Sequence, residues 1–217
     1  MSVIKPQVSN EVLSVDDFVS YSKKFLLDDM PLVGIKSSDE YIESEDFYKI
    51  EIKKSIFENS TFHNCIFEKA SFIDVEFKSC DLSNSKFRGA YFERCQFTDC
   101  KCIGINMSDT ILKNVLIKQS KLQYSYFDET RMTDVLFENV DFTESTMTEG
   151  RLKRFETKES RFVKNNFCKT MLNKVDFTNS ELIAPIVSAP PIELKGAVIN
   201  MFQAADLISL WGVIVST

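Results

Sequence analysis

From Ile42 to Leu182 every fifth residue is apolar, Thr157 alone excepted, and no insertion or deletion shifts the frame. Between 55 and 77 the chain reads SIFENSTFHNCIFEKASFIDVEF, with phenylalanine at 57, 62, 67, 72 and 77. A helix returns its buried face every 3.6 residues and a strand every 2, so a period of five belongs to neither. A second column, two residues before the first, holds small side chains: Ser55, Ser60, Cys65, Ala70, Val75, Cys80 and onward. The other three columns carry almost all the charge. Two side chains of every five therefore point in and three point out, which requires a corner every five residues. Four corners close a square coil, and successive coils stack as short parallel strands roughly 4.8 Å apart.

The pattern resembles the pentapeptide-repeat family over about residues 42–182. The resemblance implies an all-β fold, a right-handed quadrilateral parallel β-solenoid with about seven coils of about twenty residues. The phenylalanine-rich column would fill its axis. Asn59, Asn64, Asn84, Asn114, Asn139 and Asn179, with Gly89 and Gly104, fall two residues after a central position, where a corner favours positive φ. One pentapeptide, FETKE, inverts the rule: Phe155 stands in the small column and Thr157 in the large one. That exchange conserves volume and is expected to distort one corner.

The two ends lack the frame. SVDDFVSYSKKFLLDD reads as an amphipathic helix capped by Ser14, with Asp17 three residues later and Val15, Phe18, Val19 and Phe25 on one face. Three prolines break the frame in APIVSAPPIELKG; beyond them a helix is expected from Met201 to Leu210, capped by Asn200, then Gly212 and a short apolar strand. The expected division is a helical cap segment over 1–40, the solenoid over 41–184 and a capping or dimerisation helix and tail over 185–217.

Little in the chain points to catalysis. Cys65, Cys80, Cys95 and Cys100 occupy the small inward column and Cys102 the large one, so buried free thiols are expected. Cys80 and Cys100 lie one coil apart, within conceivable disulfide reach. The single histidine, His63, points outward without a second histidine to share a metal, and paired acids such as Asp128 and Glu129 stand on a ridge. No enzyme, cofactor or metal is expected. The net charge of −6 disfavours direct nucleic-acid binding. No signal peptide or spanning segment is evident, so a cytoplasmic protein with no membrane contact is the expectation.

The tail ELKGAVINMFQAADLISLWGVIV resembles that of the quinolone-resistance (Qnr-type) branch of the family, with its x-L-x-G, Q-A-x-x-L and final G-[VI]. The resemblance implies a symmetric homodimer through the C-terminus, with Phe202, Leu207, Leu210, Trp211, Val213 and Ile214 in its interface. It also implies a type II topoisomerase, DNA gyrase or topoisomerase IV, as partner, protected from poisons such as quinolones by partial DNA mimicry. Over 51–182 acids and bases cancel, twenty of each. They segregate by face: Glu58, Glu76, Asp99, Glu138, Glu156, Glu159 and Asp176 share one, Asp109, Asp128, Glu129 and Glu149 another, and Arg151, Lys153 and Arg154 lie on a basic one. The acidic rows are the candidate docking surface. A generic interaction scaffold or immunity-type binder with a different partner is the rival reading.

Overall fold

The computed structural model describes residues 3–9 and 11–214. In chain order they form β1 (Leu13–Val15), α1 (Phe18–Leu27), β2 (Leu32–Val33), β3 (Ile35–Ser38), β4 (Tyr41–Glu43), β5 (Glu51–Glu58) and β6 (Thr61–His63). β7 (Ser71–Lys78), β8 (Tyr91–Thr98), β9 (Ile111–Lys118), β10 (Arg131–Glu138), β11 (Arg151–Lys158), β12 (Arg161–Val163), β13 (Glu181–Ile183) and α2 (Met201–Leu207) follow. β5 and β7 to β11 stack in one parallel sheet at a constant offset: Glu51 lies beside Ser71, Ser71 beside Tyr91, and Arg131 beside Arg151. Each of these strands bends across two faces of the tower. The other two faces are built mostly from turns and single bridges, such as Thr61 beside Asp81 and Ile66 beside Lys86, with two short parallel pairs, β4 with β6 and β12 with β13.

The expected β-solenoid is the fold, with about 9 turns where the frame alone counts seven. The additional turns lie where the sequence frame is disguised. At the base Ser37 takes a large-column place, and Phe18 of α1 supplies the missing ring, 5.2 Å from both Phe47 and Phe57. At the top the offset grows from Asn166 beside Ile186 to Asp176 beside Val198. The extra residues are held by buried Glu193, which accepts from the amides of Lys169 (2.8 Å) and Ser188 (3.1 Å) and from the Ser188 hydroxyl (2.6 Å).

Stacked rings fill the lower axis. Phe47, Phe67 and Phe87 lie 4.9 and 4.8 Å apart, Phe72 and Phe92 4.8 Å, and Phe77 and Phe97 4.7 Å, all close to parallel. With as many as four rings in a rung (Phe57, Phe62, Phe67 and Phe72) and three of these stacked on a ring one rung up, the phenylalanines make the main apolar contribution to stability.

The corner residues adopt positive φ as expected: Asn59 51°, Asn64 56°, Asn84 59°, Asn114 51°, Asn139 53°, Gly89 69° and Gly104 68°. Asn179 does not, because the bond from Glu159 N reaches its carbonyl instead of that of Thr178 and the register slips there. Lys54, Arg94, Tyr124 and Glu129 also take φ near 50–60°, so residues with an intrinsic cost in this region are held there by the ladder above and below.

α1 starts later than the sequence suggests. Asp17, not Ser14, caps it by accepting from Ser20 N, while Ser14 and Val15 belong to β1 and pair with β3. Preceding β1, residues 3–9 form a strap running along the tower. Gln7 N donates to Asp74 Oδ1 (3.0 Å) and Ile4 N to Asn114 Oδ1 (3.4 Å), two rungs higher. Val3 to Pro6 lie against Leu116 and Leu136, and Leu136, an outward position in the frame, is thereby 7% exposed.

The ladder opens at one place. In the rungs below, amides two and four places into each pentapeptide donate one rung up, as Phe62 N does to Asp81 O and Asn64 N to Ser83 O. By that register Leu152, Arg154 and Thr157 of β11 should meet residues 171–176, yet no backbone bond joins the two segments. Residues 172–175 instead close a turn on themselves, Val175 N to Leu172 O at 3.0 Å. The expected distortion around Phe155 is thus an open seam across two faces. Phe155 is buried against Phe137 (5.1 Å between centroids), and Leu152 is half-buried where Phe72, Phe92 and Leu112 in the same column are sealed.

Candidate functional site

The outward columns form ladders of ion pairs one rung apart. Asp74 binds Arg94 (2.7 Å), Asp81 binds Lys101 (2.9 Å), Asp134 binds Arg154 (2.5 Å), and Arg161 reaches both Asp141 (3.7 Å) and Glu181 (3.0 Å). Asp74 is the most buried of these carboxylates. Burial raises its pKa, but the hydrogen bonds from Arg94 and Gln7 N outweigh that and hold it below the ordinary range.

Several of the expected docking acids have partners within the chain. Glu58 pairs with Lys36 (2.6 Å), Glu76 with Lys78, Glu138 with Lys118 (3.0 Å) and Glu149 with Lys169 (2.6 Å). Asp128 accepts from Thr146 Oγ1 (2.7 Å), Thr148 N (2.9 Å) and Thr148 Oγ1 (2.6 Å), stitching two rungs. Asp176 accepts from Thr178 N (2.8 Å), and that bond with the Thr178 hydroxyl lowers its pKa. Glu156 is engaged as well. Asp99, Asp109, Glu129 and Glu159 remain exposed at corners, without a side-chain partner among the described residues. Asp99 and Glu159, with Asn139 and Gln119, border a shallow depression of about 480 Å³.

At the top of the tower α2 serves as a lid. Asn200 and Gln203 form a capping box, and Gln203 Nε2 donates to Phe177 O (3.0 Å) and Ser180 O (2.7 Å), satisfying carbonyls of the last turn. Leu207 is buried against the core. Of the residues assigned to a dimer interface, Phe202 (77%), Leu210 (37%), Trp211 (54%), Val213 (47%) and Ile214 (93%) are exposed. The helical turn ends at Trp211, and Gly212 turns the chain at φ 73°. The expected strand after Gly212 runs partly outside the described residues; Val213 and Ile214 within them are not in a strand.

Five of the six cysteines are sealed in the inward columns, and Cys168 is half-exposed. Cys65, Cys80, Cys95, Cys100 and Cys102 are buried free thiols. Burial pushes Cys65 and Cys80 up to about 11 and Cys95 and Cys100 to about 12. His63 stands at the surface, 3.4 Å from Glu43 Oε1 and 3.2 Å from Asn84 Nδ2. Among the described residues no three metal-ligating side chains converge, and no helix is long and apolar enough to cross a membrane.

A family model described as a pentapeptide repeat region matches residues 70–131. Among solved structures, trypsin-treated QnrB1, a plasmid-mediated fluoroquinolone resistance protein, is similar at 16% identity over 84% of this chain and 100% of that one, TM-score 0.48. Full-length QnrB1 gives 15% identity, 82% and 100% coverage, and a TM-score of 0.43. HetL from the cyanobacterium Nostoc, a pentapeptide repeat protein involved in heterocyst differentiation regulation, gives 12%, 78%, 89% and 0.30. Among curated protein sequences none matches. Residues 70–131 thus match a pentapeptide repeat region, and they sit inside a frame of five unbroken from Ile42 to Leu182 and inside a tower whose rungs repeat every twenty residues.

Proposed function

We propose that the chain is a non-enzymatic, cytoplasmic binding protein that works as a homodimer joined at the C-terminal ends of two towers, with a type II topoisomerase as its partner. On this reading it occupies part of the DNA-binding surface of gyrase or topoisomerase IV as a partial DNA mimic and protects the enzyme from poisons such as quinolones. It needs no cofactor and makes no direct contact with nucleic acid. The observation that carries the reading is the C-terminal unit. Gly196 at φ 78°, Gln203 and Leu207 on the inner side of the lid, and Gly212 at φ 73° give these four residues of the x-L-x-G, Q-A-x-x-L, G-[VI] pattern a structural task. The same unit leaves Phe202, Trp211 and Ile214 exposed, a patch that suits a two-fold partner.

The ion-pair ladders favour a second reading, a scaffold or immunity-type binder with another partner, because they pair Glu58, Glu76, Glu138 and Glu149 of the rows a DNA mimic would present. Within the topoisomerase reading the docking charge falls to Asp99, Asp109, Glu129 and Glu159, which are exposed without ion pairs. A supercoiling assay separates the two. The chain is titrated into purified gyrase with and without ciprofloxacin, beside an Asp109→Lys/Glu129→Lys variant. The topoisomerase reading expects rescue in drug, or inhibition without it, and loss of either effect in the variant. No effect in both arms, with the chain folded, supports the scaffold.

A further inference from the structure

The geometry points to a peptide-docking site in the seam above β11: an extended acidic segment of a partner protein adds as a strand to the free edge of β11, between it and residues 171–176. A sheet edge with unpaired N–H groups is a template for a further strand. β11 is such an edge, because the amides of Leu152, Arg154 and Thr157 lack the partners that the same positions find one rung below. The space is present: two adjoining cavities of about 580 and 280 Å³ lie between the banks, sharing Phe155, Glu156 and Lys174. Leu152 and Met171 supply apolar contact, Met171 being 45% exposed.

Charge selects the occupant. Arg151, Lys153, Lys158 and Lys174 are exposed around the seam, four bases within one rung of one another, and none forms a salt bridge among the described residues. An alternating peptide would present its carboxylates to these bases and its apolar side chains to Leu152 and Met171. The site owes its existence to the Phe155 and Thr157 exchange, and it does not depend on the identity of the topoisomerase as partner.

The test uses the full chain and a fluorescein-labelled peptide, Asp-Val-Glu-Ile-Asp-Val-Glu. Its controls are the same peptide with lysine for every acid and one with a central proline, which removes a donor and breaks pairing. Saturable anisotropy with the acidic peptide alone is expected. It should weaken about tenfold or more when Lys153→Glu and Lys174→Glu are combined. Amide exchange gives a second measure: Leu152, Arg154 and Thr157 should exchange faster than Met132, Asp134 and Phe137 one rung below, and slow when the peptide is bound. The double variant Phe155→Ser/Thr157→Phe restores the repeat rule and should close the seam, abolishing binding while the fold is kept. No saturable binding, equal binding of the proline peptide, or exchange at Leu152 and Arg154 as slow as one rung below overturns the proposal.

Discussion

At the residue scale the tower is held by rings, thiols and strained corners, each with a separable signature. Truncating Phe72, sealed between Phe92 and its neighbours, to alanine should cost about 3–5 kcal/mol, read from the denaturation midpoint at unchanged slope. Asn139→Val places a β-branched residue at φ 53° and should cost about 1–2 kcal/mol by the same measurement. The thiols divide cleanly. Cys168 is half-exposed while the other five are buried with raised pKa, so one thiol should react with Ellman's reagent in the native protein and all six after unfolding. The burial of these cysteines and the corner asparagines were legible, because a column position states which way a side chain points. The lysines, arginines and the tyrosine at corners were not: nothing in their chemistry asks for positive φ, and only the ladder imposes it.

At the element scale the segments outside the repeat decide how the tower begins, is braced and ends. A helix before the tower was legible from its apolar face, but its start was misplaced because Ser14 and Asp17 are both good caps and only the pairing of β1 with β3 decides between them. The strap was invisible, since residues 3–9 obey no period and their contacts lie up to 110 residues away. Its anchor has a pH signature. The folded-state pKa of Asp74 is lowered, so its contribution is present at neutral pH and is lost as pH falls below the ordinary aspartate value of about 3.9 and through the folded one. Proteolytic susceptibility of residues 3–9 should therefore be low at pH 7 and rise below about pH 4. Asp74→Asn should free the strap at pH 7 and flatten that dependence; an unchanged profile would show that the strap is held by Leu116 and Leu136 instead. The seam was half-legible. FETKE announced a disturbance, but the switch of residues 172–175 from extended to turn backbone has no mark in the frame, where Leu172 and Phe177 look ordinary.

At the scale of the whole molecule, the charge count and the charge arrangement give different pictures. Sorting residues by face suggested acidic rows, whereas pairing one rung apart couples acids to bases along and across those rows, a relation that depends on rotamers no frame encodes. At the top Phe202, Trp211 and Ile214 stand exposed beside a sealed last coil, and on the proposed reading a second tower covers them. Light scattering should give twice the chain mass, falling to one chain in Trp211→Glu/Ile214→Glu with the far-ultraviolet spectrum intact. The central claim, a binding tower directed at a topoisomerase, is tested most directly by biolayer interferometry of the immobilised chain against purified gyrase, with duplex DNA as competitor. Saturable binding displaced by DNA, and weakened in Asp109→Lys/Glu129→Lys, is the expected result. No binding by a folded dimer, or binding indifferent to DNA, would contradict it.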